Sequence, residues 1–232
     1  MSGGKKTFWS ETLPEPLPAN PLEMASQWLA QAQRDAAQPN PTSMILATVD
    51  ARGYPSARVV LCKEIAAQQG FILFYTNYRS RKGSELHFNP RAAVVFHWDH
   101  LHRQVRAEGA VEPLSDSEND AYFRTRVWQK QLGAWASQQS QPVASREALS
   151  AAVAREARRF GIPYDGPGSA EPDQISTQVP RPSNWGGYRL WIDAVELWVE
   201  GEYRIHDRAR WTRTLGQAPA GPGPWSATRL QP

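Results

Sequence analysis

Short runs of alternating apolar and polar residues begin at residue 44 and recur almost to the end of the chain. Side chains on a strand alternate between two faces, so such runs predict strands with one face packed in a core. Helices do not alternate with these runs as they do in parallel sheets. We therefore expect a mainly β, antiparallel fold with peripheral helices. The predicted strands are MILATVD, SARVVLCK, GFILFYTN, RAAVVFHW, RQVRAEGAVEP, YRLWI, AVELWVEG, YRIHDRARW and, near the end, WSATRL.

Four segments with capping signals predict helices. Asn20 can cap the first, with Pro21 at its first position. Ser115 and Glu118 have the spacing of a capping box. The predicted helices run from Asn20 to about Ala37, from Ser80 to Phe88, from Ser115 to about Arg126 and from Ser145 to Phe160.

The distribution of polar, glycine and proline residues suggests one domain. Residues 1–19 are polar and contain several prolines, and we expect a flexible N-terminal arm. Residues 20–232 are expected to form a single domain. Within it, residues 161–184 are rich in glycine, proline and polar side chains, which predicts a long surface loop.

Charge and cysteine content narrow the class of protein. A net charge of +3 is too small to indicate nucleic acid unless it clusters, and it suits small anionic ligands equally well. Cys62 is the only cysteine, so no intramolecular disulfide can form and a reducing compartment is expected. Neither a secretory signal nor an apolar run of bilayer length is present. We expect a cytoplasmic protein.

The segment YTNYRSRK, residues 75–82, is the first candidate for binding chemistry. A strand ends there, and the next helix begins with Arg81 and Lys82. Helix N-termini bind phosphate through free N–H groups, whereas two cations in the first turn oppose the helix dipole. An anion would remove that conflict. A solvated basic turn explains the same residues equally well.

The strand SARVVLCK is the second candidate, because it carries Arg58 and Lys63 near its ends. Strand periodicity places these two side chains on opposite faces. Both can serve one pocket only if a bulge or a strand-end twist intervenes, or if the pocket lies between subunits. Alternatively, the two charges simply flank a half-buried strand.

Tyr122 and Arg126 form the third candidate. Lying four residues apart, they share a face of the predicted helix, and a phenol beside a guanidinium suits phosphate oxygens. Lys130 lies four residues further on, if the helix extends that far. A tyrosine packed on an arginine stem is the structural alternative.

The fourth candidate is YRIHDRARW, where Arg204, His206 and Arg208 alternate onto one face of the predicted strand. Three adjacent basic groups repel one another unless an electron-rich ligand or an acidic partner lies over them. His206 is either an acid/base group or a hydrogen-bonded structural histidine. The other histidines lack metal-ligand spacing, so we predict no metal. No nucleophile motif such as GxSxG occurs in the sequence.

In this order, these segments resemble the pyridoxamine 5′-phosphate oxidase family from about Asn20 to Pro232. The resemblance rests on an ordered set of strings, each weak by itself. They are ARVVLCK, FYTNYRSRK, RQVRAEG, QLGAWASQQS, PRPSNWGGYRL, ELW, YRIHDR and the closing RLQP.

The resemblance implies a split β-barrel homodimer with FMN at the subunit interface. It further implies oxidation of pyridoxamine or pyridoxine 5′-phosphate to pyridoxal 5′-phosphate in vitamin B6 metabolism, with O2 as acceptor and H2O2 as product. Arg204 and His206 match the catalytic positions. The FMN positions are Arg58, Val59, Val60, Leu61, Cys62, Lys63, Tyr75, Thr76, Arg81, Lys82, Gln104, Gln139, Ser140, Trp198 and Arg208. The substrate positions are Lys63, Tyr122, Arg126, Lys130, Arg204 and His206. We hypothesise that Arg208 stabilises reduced flavin while Arg204 and His206 orient the substrate.

The chain departs from the family pattern at residues 125–131. The family usually has SRPxxSQ where this chain has TRVWQKQ, so Val127 replaces proline and Lys130 replaces a phosphate-contacting serine. Lysine still offers phosphate a point charge. Three other functions compete with the oxidase: an FMN oxidase of the phenazine-biosynthesis type, a non-catalytic flavin or pyridoxal-phosphate module, and a nucleic-acid-binding barrel. The last lacks a dense basic stripe with aromatics.

Overall fold

The computed structural model of the protein describes residues 11–167, 178–216 and 222–232. Helices and strands carry labels in chain order. The helices are α1 Pro21–Asp35, α2 Arg81–Phe88, α3 Asp116–Arg124, α4 Trp128–Ala136 and α5 Arg146–Arg159. The strands are β1 Ser43–Val49, β2 Pro55–Ala66, β3 Phe71–Asn77, β4 Arg91–Trp98, β5 Arg103–Pro113, β6 Trp185–Val199, β7 Asp207–Thr212 and β8 Ser226–Leu230. None of the helices in these ranges is long and apolar enough to cross a membrane.

The strands form one sheet that closes into an antiparallel barrel. Their order is β3-β2-β1-β4-β5-β6-β7-β8, and a further pairing of β3 with β6 closes the first six strands. β1 lies between β2 and β4, so that Ile45 pairs with Val59 on one side and Val95 on the other. β7 and β8 continue the sheet beyond β6. The predicted antiparallel, mainly β fold is confirmed.

Three predicted strands have different bounds in the structure. YRLWI and AVELWVEG form the single strand β6, and the carboxylate of the intervening Asp193 accepts from Arg91 at 2.7 Å. The strand predicted from Tyr203 begins only at Asp207, because the chain makes a 3₁₀ turn at Glu202–Arg204. The prediction that Arg204, His206 and Arg208 share one strand face is therefore wrong.

The helix caps form as the sequence predicts. The side chain of Asn20 accepts from the Leu22 amide at the start of α1, and Ser115 forms a complete capping box with Glu118 at the start of α3. α3 ends at Arg124, two residues earlier than predicted, and the Thr125 hydroxyl donates to the Tyr122 carbonyl beyond that end. α4 is an element that the sequence analysis missed.

The chain divides into two compact units. One contains the described residues up to Phe74, together with Asn89–Glu112 and Arg189 onward; the other contains Tyr75–Phe88 and Pro113–Tyr188. In the first, large side chains such as Phe96, Trp98 and Trp211 are buried. The second unit has its own core of Phe123, Leu132, Ala157, Ile162, Val179 and Trp185.

Parts of the predicted arm and of the predicted loop are packed. Leu13 is 2% exposed, and its amide donates to the Asp207 carboxylate at 2.7 Å. Ile162 and Val179 lie within the predicted loop and are buried in the core of the second unit, so the ends of that segment are not a surface loop. Residues 1–10 of the predicted arm and 168–177 of the predicted loop lie outside the described residues.

Gly109 in β5 gives a test of the barrel packing. A Cβ atom there would overlap the backbone carbonyl of Trp191 in β6, so Gly109→Ala should lower the free energy of unfolding by about 1–3 kcal/mol. Urea denaturation at fixed protein concentration measures the change. Gly133→Ala in α4 is the control, because its Cβ meets nothing and helix propensity favours alanine by about 0.5–1 kcal/mol. Equal stabilities for the two variants would contradict the packing described.

Candidate active site

Lys82 is held in a cage of oxygen atoms at the start of α2. The side chain is buried, with 9% of the residue exposed. Its Nζ donates to the Gln139 amide oxygen at 2.8 Å, the Thr76 hydroxyl at 3.2 Å and the Ser80 hydroxyl at 3.3 Å. These three oxygens are uncharged and solvate the ammonium. The cage therefore holds a buried lysine at a helix N-terminus.

The backbone around Lys82 adds to this site. Ser80 caps α2 by accepting from the Gly83 amide, as predicted, and the first turn contains no acidic residue. The Arg81 amide donates to the Ser140 hydroxyl at 3.1 Å, while its guanidinium pairs with Glu85 at 2.8 Å. A helix N-terminus with a buried cation is suited to an anion such as a phosphate group. Four predicted residues, Thr76, Lys82, Gln139 and Ser140, meet here.

Arg126 lies against aromatic rings in the same unit. Its guanidinium carbon lies 4.4 Å from the centre of the Trp185 ring. The Nη1 atom is buried and has no hydrogen-bond partner among the described residues. Burial lowers the pKa of Arg126 from its ordinary value, although the nearby Tyr122 acts in the opposite direction. Arginine remains charged at neutral pH even so, and an anion would relieve the cost of its desolvation.

Tyr122 belongs to this group through ring stacking. Its ring lies 3.9 Å from that of Tyr75 with an angle of 11° between the planes, and Tyr75 also stacks on Trp185 at 5.2 Å. Tyr122 and Arg126 both lie near the ring of Trp185. Arg126 lies beyond the end of α3, so the two do not share a helix face as predicted. Stacking makes this wall of the site rigid, because three rings fix one another's orientation.

Lys130 does not continue α3. It is exposed on α4, whose first residue follows an extended Val127 with φ −59° and ψ 144°. The prediction that Lys130 could share a helix with Tyr122 and Arg126 is therefore wrong. Its proposed contact with substrate phosphate stays a prediction.

Arg58 and Lys63 both lie on β2, and this strand is irregular near Lys63. Arg58 donates to the hydroxyls of Thr48 and Ser56 and to the Leu46 carbonyl. The register of β2 against β3 shifts between Cys62 and Glu64, which places Lys63 at a bulge. A bulge interrupts the alternation of faces, so the strand periodicity that separated Arg58 from Lys63 does not hold to the end of β2.

The predicted cofactor residues between Arg58 and Lys63 differ in their exposure to solvent. Val59 is 64% and Leu61 41% exposed, Val60 is half-buried, and Cys62 is buried. Burial raises the pKa of the Cys62 thiol to about 12. Cys62 thus offers a ligand no thiolate, and its exposed neighbours offer apolar surface.

Arg208 in β7 is held by a buried carboxylate. Glu196 in β6 is 3% exposed and accepts from Arg208 Nε at 3.0 Å and Nη2 at 2.8 Å. It also accepts from Arg106 Nη1 at 3.2 Å. The shared carboxylate holds both guanidinium groups in a fixed geometry.

Arg204 and His206 lie in the turn before β7. Arg204 has a φ of 66° and Tyr203 a φ of 54°, conformations that cost energy in any residue except glycine. The ring of His206 lies 4.6 Å from that of Trp198, and its Nδ1 accepts from the Gly201 amide at 3.2 Å. The predicted residues Trp198 and His206 are thus in contact. Gln104, also predicted, is half-buried on β5 opposite His97.

Sequence analysis missed three residues that position these groups: Glu196, Arg106 and Gly201. Glu196 gave a usable signal, because a glutamate inside the apolar run AVELWV needs a buried partner. No pattern in the sequence marked Gly201 as a positioning residue, apart from its being a glycine. In the described ranges, no cluster of three histidine, cysteine, aspartate or glutamate side chains is placed to hold a metal ion.

The closed antiparallel barrel and its basic sites define the class as a split β-barrel. A solved structure of PhzG from Burkholderia lata 383, in complex with tetrahydrophenazine-1-carboxylic acid, aligns with a TM-score of 0.78 and 29% identity over 96% of this chain and 98% of that one. A pyridoxamine 5′-phosphate oxidase-related, FMN-binding protein from Nostoc punctiforme aligns with a TM-score of 0.63 and 18% identity, covering 91% and 97% of the two chains. The predicted fold class is confirmed.

The chain belongs to the pyridoxamine 5′-phosphate oxidase family. The family model "Pyridoxamine 5′-phosphate oxidase" matches residues 30–158, and "Pyridoxine 5′-phosphate oxidase C-terminal dimerisation region" matches residues 185–232. A pyridoxine/pyridoxamine 5′-phosphate oxidase of Rhodopseudomonas palustris strain HaA2 is 46% identical over 92% of this chain and 90% of its own length. One from Paraburkholderia phymatum is also 46% identical, over 92% and 89%. The predicted family is confirmed.

The buried thiol of Cys62 predicts resistance to modification. With its pKa raised from 9.0 to about 12, the thiol stays protonated at pH 9 in the folded protein, whereas half of it ionises after unfolding. Ellman's reagent at pH 9 should therefore react at least 100-fold more slowly with native than with urea-unfolded protein, because the thiolate is the reactive form (about tenfold for each pKa unit). Similar rates in both states would show that Cys62 is accessible and ionised.

Proposed function

We propose that the chain is an FMN-dependent oxidase that converts pyridoxine or pyridoxamine 5′-phosphate to pyridoxal 5′-phosphate. One observation carries the proposal: the unit that contains α2 to α5 has two distinct cationic sites, the Lys82 cage and the Arg126 site. A reaction between a phosphorylated flavin and a phosphorylated vitamin requires two phosphate sites. The curated relatives bear names that agree with this activity.

The Lys82 cage fits the phosphate of FMN. It combines a buried ammonium, a helix N-terminus and the hydroxyl of Ser140, which are groups that match phosphate oxygens. We assign Arg81 and Lys82 to this phosphate, with Thr76, Gln139 and Ser140 around it. Bound FMN would supply the redox chemistry, taking a hydride from the 4′ carbon of the substrate and passing the electrons to O2, which yields H2O2.

The remaining residues bind and orient. Arg126 and Tyr122 would hold the substrate phosphate, and its binding energy would position the vitamin ring for reaction. Arg204 and His206 would contact the reacting part of that ring. Arg208, held by Glu196, would face the flavin and favour its reduced, anionic form.

A phenazine-type FMN oxidase is the second candidate, because the sequence of the solved PhzG structure is 29% identical to this chain. The ligand in that complex, tetrahydrophenazine-1-carboxylic acid, contains no phosphate. Its carboxylate could pair with the buried Nη1 of Arg126 as a phosphate could, so the Arg126 site alone does not separate the two candidates. The names of the curated relatives favour the vitamin phosphates, and the turn with Arg204 and His206 favours catalysis over simple binding.

Oxygen consumption tests the proposed activity. Purified protein reconstituted with FMN should consume O2 and release H2O2 with pyridoxine or pyridoxamine 5′-phosphate, with one H2O2 formed for each pyridoxal 5′-phosphate. Unphosphorylated pyridoxine is the matched control substrate and should react far more slowly. Turnover of a phenazine precursor without turnover of either vitamin phosphate would favour the second candidate.

We also propose that the chain functions as a homodimer. The family model matched by residues 185–232 describes a dimerisation region. On the barrel, Ile45 is 44%, Val59 64% and Leu61 41% exposed, and Ile45 pairs directly with Val59 across β1 and β2. An apolar patch of this kind on a sheet is typical of a protein–protein interface, so we assign it to the subunit contact.

The Arg126→Met substitution should impair the substrate-phosphate site and leave the FMN-phosphate site intact. Losing the substrate-phosphate contact should lower kcat/KM for pyridoxine 5′-phosphate by about 10–100-fold, since a hydrogen bond to a charged group contributes about 1.5–3 kcal/mol. The FMN content should not change. Lys82→Met should do the reverse and release FMN. Arg124→Met, which alters an exposed arginine of α3, is the control and should resemble the wild type. Loss of FMN from Arg126→Met would contradict the assignment.

Ile45→Lys should weaken the dimer. Placing a charge in an apolar interface leaves it desolvated and unpaired, at a cost of several kcal/mol. Sedimentation velocity should show a shift from dimer to monomer at micromolar concentration. Leu149→Lys is the control, because Leu149 on α5 is 42% exposed and lies outside the apolar patch. A dimer unaffected by Ile45→Lys would place the interface elsewhere.

A further inference from the structure

We infer that the turn from Gly201 to His206 holds His206 in the tautomer with its proton on Nε2, so that His206 serves the reaction as a hydrogen-bond donor and not as a base. The Gly201 amide nitrogen lies 3.2 Å from His206 Nδ1 and donates to it. A backbone N–H can only donate, so Nδ1 must present its lone pair. A neutral imidazole with a lone pair on Nδ1 carries its proton on Nε2.

The shape of the turn maintains this contact. A Cβ atom at Gly201 would overlap the carbonyl oxygen of Ile205, so only glycine brings the amide this close to the histidine. The Ile205 amide closes the turn on the Glu202 carbonyl at 2.9 Å. Tyr203 lies in the left-handed region without being glycine, a strain that the closed turn must offset.

The described residues around His206 fix its ring without an ion pair. In the described ranges, no carboxylate lies within ion-pair distance of His206; Asp207, the next residue, is engaged by the Leu13 amide at 2.7 Å and by Arg229 at 2.6 Å. The ring of Trp198 lies 4.6 Å away at an angle of 41°, which fixes the plane of the imidazole.

The consequence for catalysis rests on the proposed function. The only basic lone pair of His206 is covered by the Gly201 amide, so His206 cannot accept a proton from the substrate without breaking that bond. Its Nε2–H is available to an acceptor atom, such as an oxygen substituent of the vitamin ring. His206 therefore orients the substrate through donation, and Gly201 is a positioning residue.

Nitrogen NMR of the FMN-loaded protein tests the tautomer directly. The chain has five histidines, so the protein is labelled with ¹⁵N-histidine and His206 is assigned by the signals lost in His206→Gln. Long-range ¹H–¹⁵N spectra should show a protonated Nε2 and an unprotonated Nδ1, with and without pyridoxal 5′-phosphate. A proton on Nδ1, a cationic ring or an even mixture of tautomers would overturn the inference.

Two amide variants test the donor role. Glutamine places an N–H group near the position of Nε2, whereas asparagine places its amide near Nδ1. Anaerobic reduction of bound FMN by pyridoxine 5′-phosphate should slow by about 10–100-fold in His206→Asn and by less than about tenfold in His206→Gln, with FMN retained in both. Equal losses, or the reverse order, would overturn the donor role. If the wild-type flavin is not reduced at all, the proposed function fails, while the NMR result still decides the tautomer.

Discussion

The cost of removing a positive charge from water governs the candidate site. Lys82 is buried among neutral oxygens at a helix N-terminus, and Arg126 is packed on Trp185 with one buried nitrogen lacking a partner among the described residues. At Arg126, folding alone does not return that cost, since an apolar side chain of similar size would pack there without it. An anion bound at either position would lower it. The arrangement is therefore best understood as two binding sites whose stability improves when they are occupied.

In the first unit, which contains β7 and most of β6, buried contacts fix the direction of polar side chains. Glu196 is buried between Arg208 and Arg106, so that neither guanidinium can rotate freely. Gly201 does the same for His206 with a backbone amide. Strain is concentrated in this turn, at Tyr203 and Arg204, while β6 and β7 on either side are regular. Rigid strands that support a strained turn are a common arrangement for groups that act on a substrate.

Local chemistry made part of this structure predictable. The caps at Asn20 and Ser115 and the alternating runs fixed most elements, because those signals act over a few residues. α4 was missed because Val127 provides no side-chain cap. The turn at Glu202–Arg204 was missed because its residues continue the alternation of a strand, and positive φ at non-glycine residues leaves no trace in sequence. Neither the bulge at Lys63 nor the buried Nη1 of Arg126 was predictable, since each depends on contacts with distant segments.

The central claim is that two separate phosphate sites exist on one chain. Phosphorus NMR of the FMN-loaded protein, titrated with pyridoxal 5′-phosphate, addresses this most directly because each ligand has one phosphorus atom. The account predicts two bound resonances, with Arg126→Met removing only that of pyridoxal 5′-phosphate. Displacement of the FMN signal by pyridoxal 5′-phosphate, or a vitamin signal that survives Arg126→Met unchanged, would contradict it.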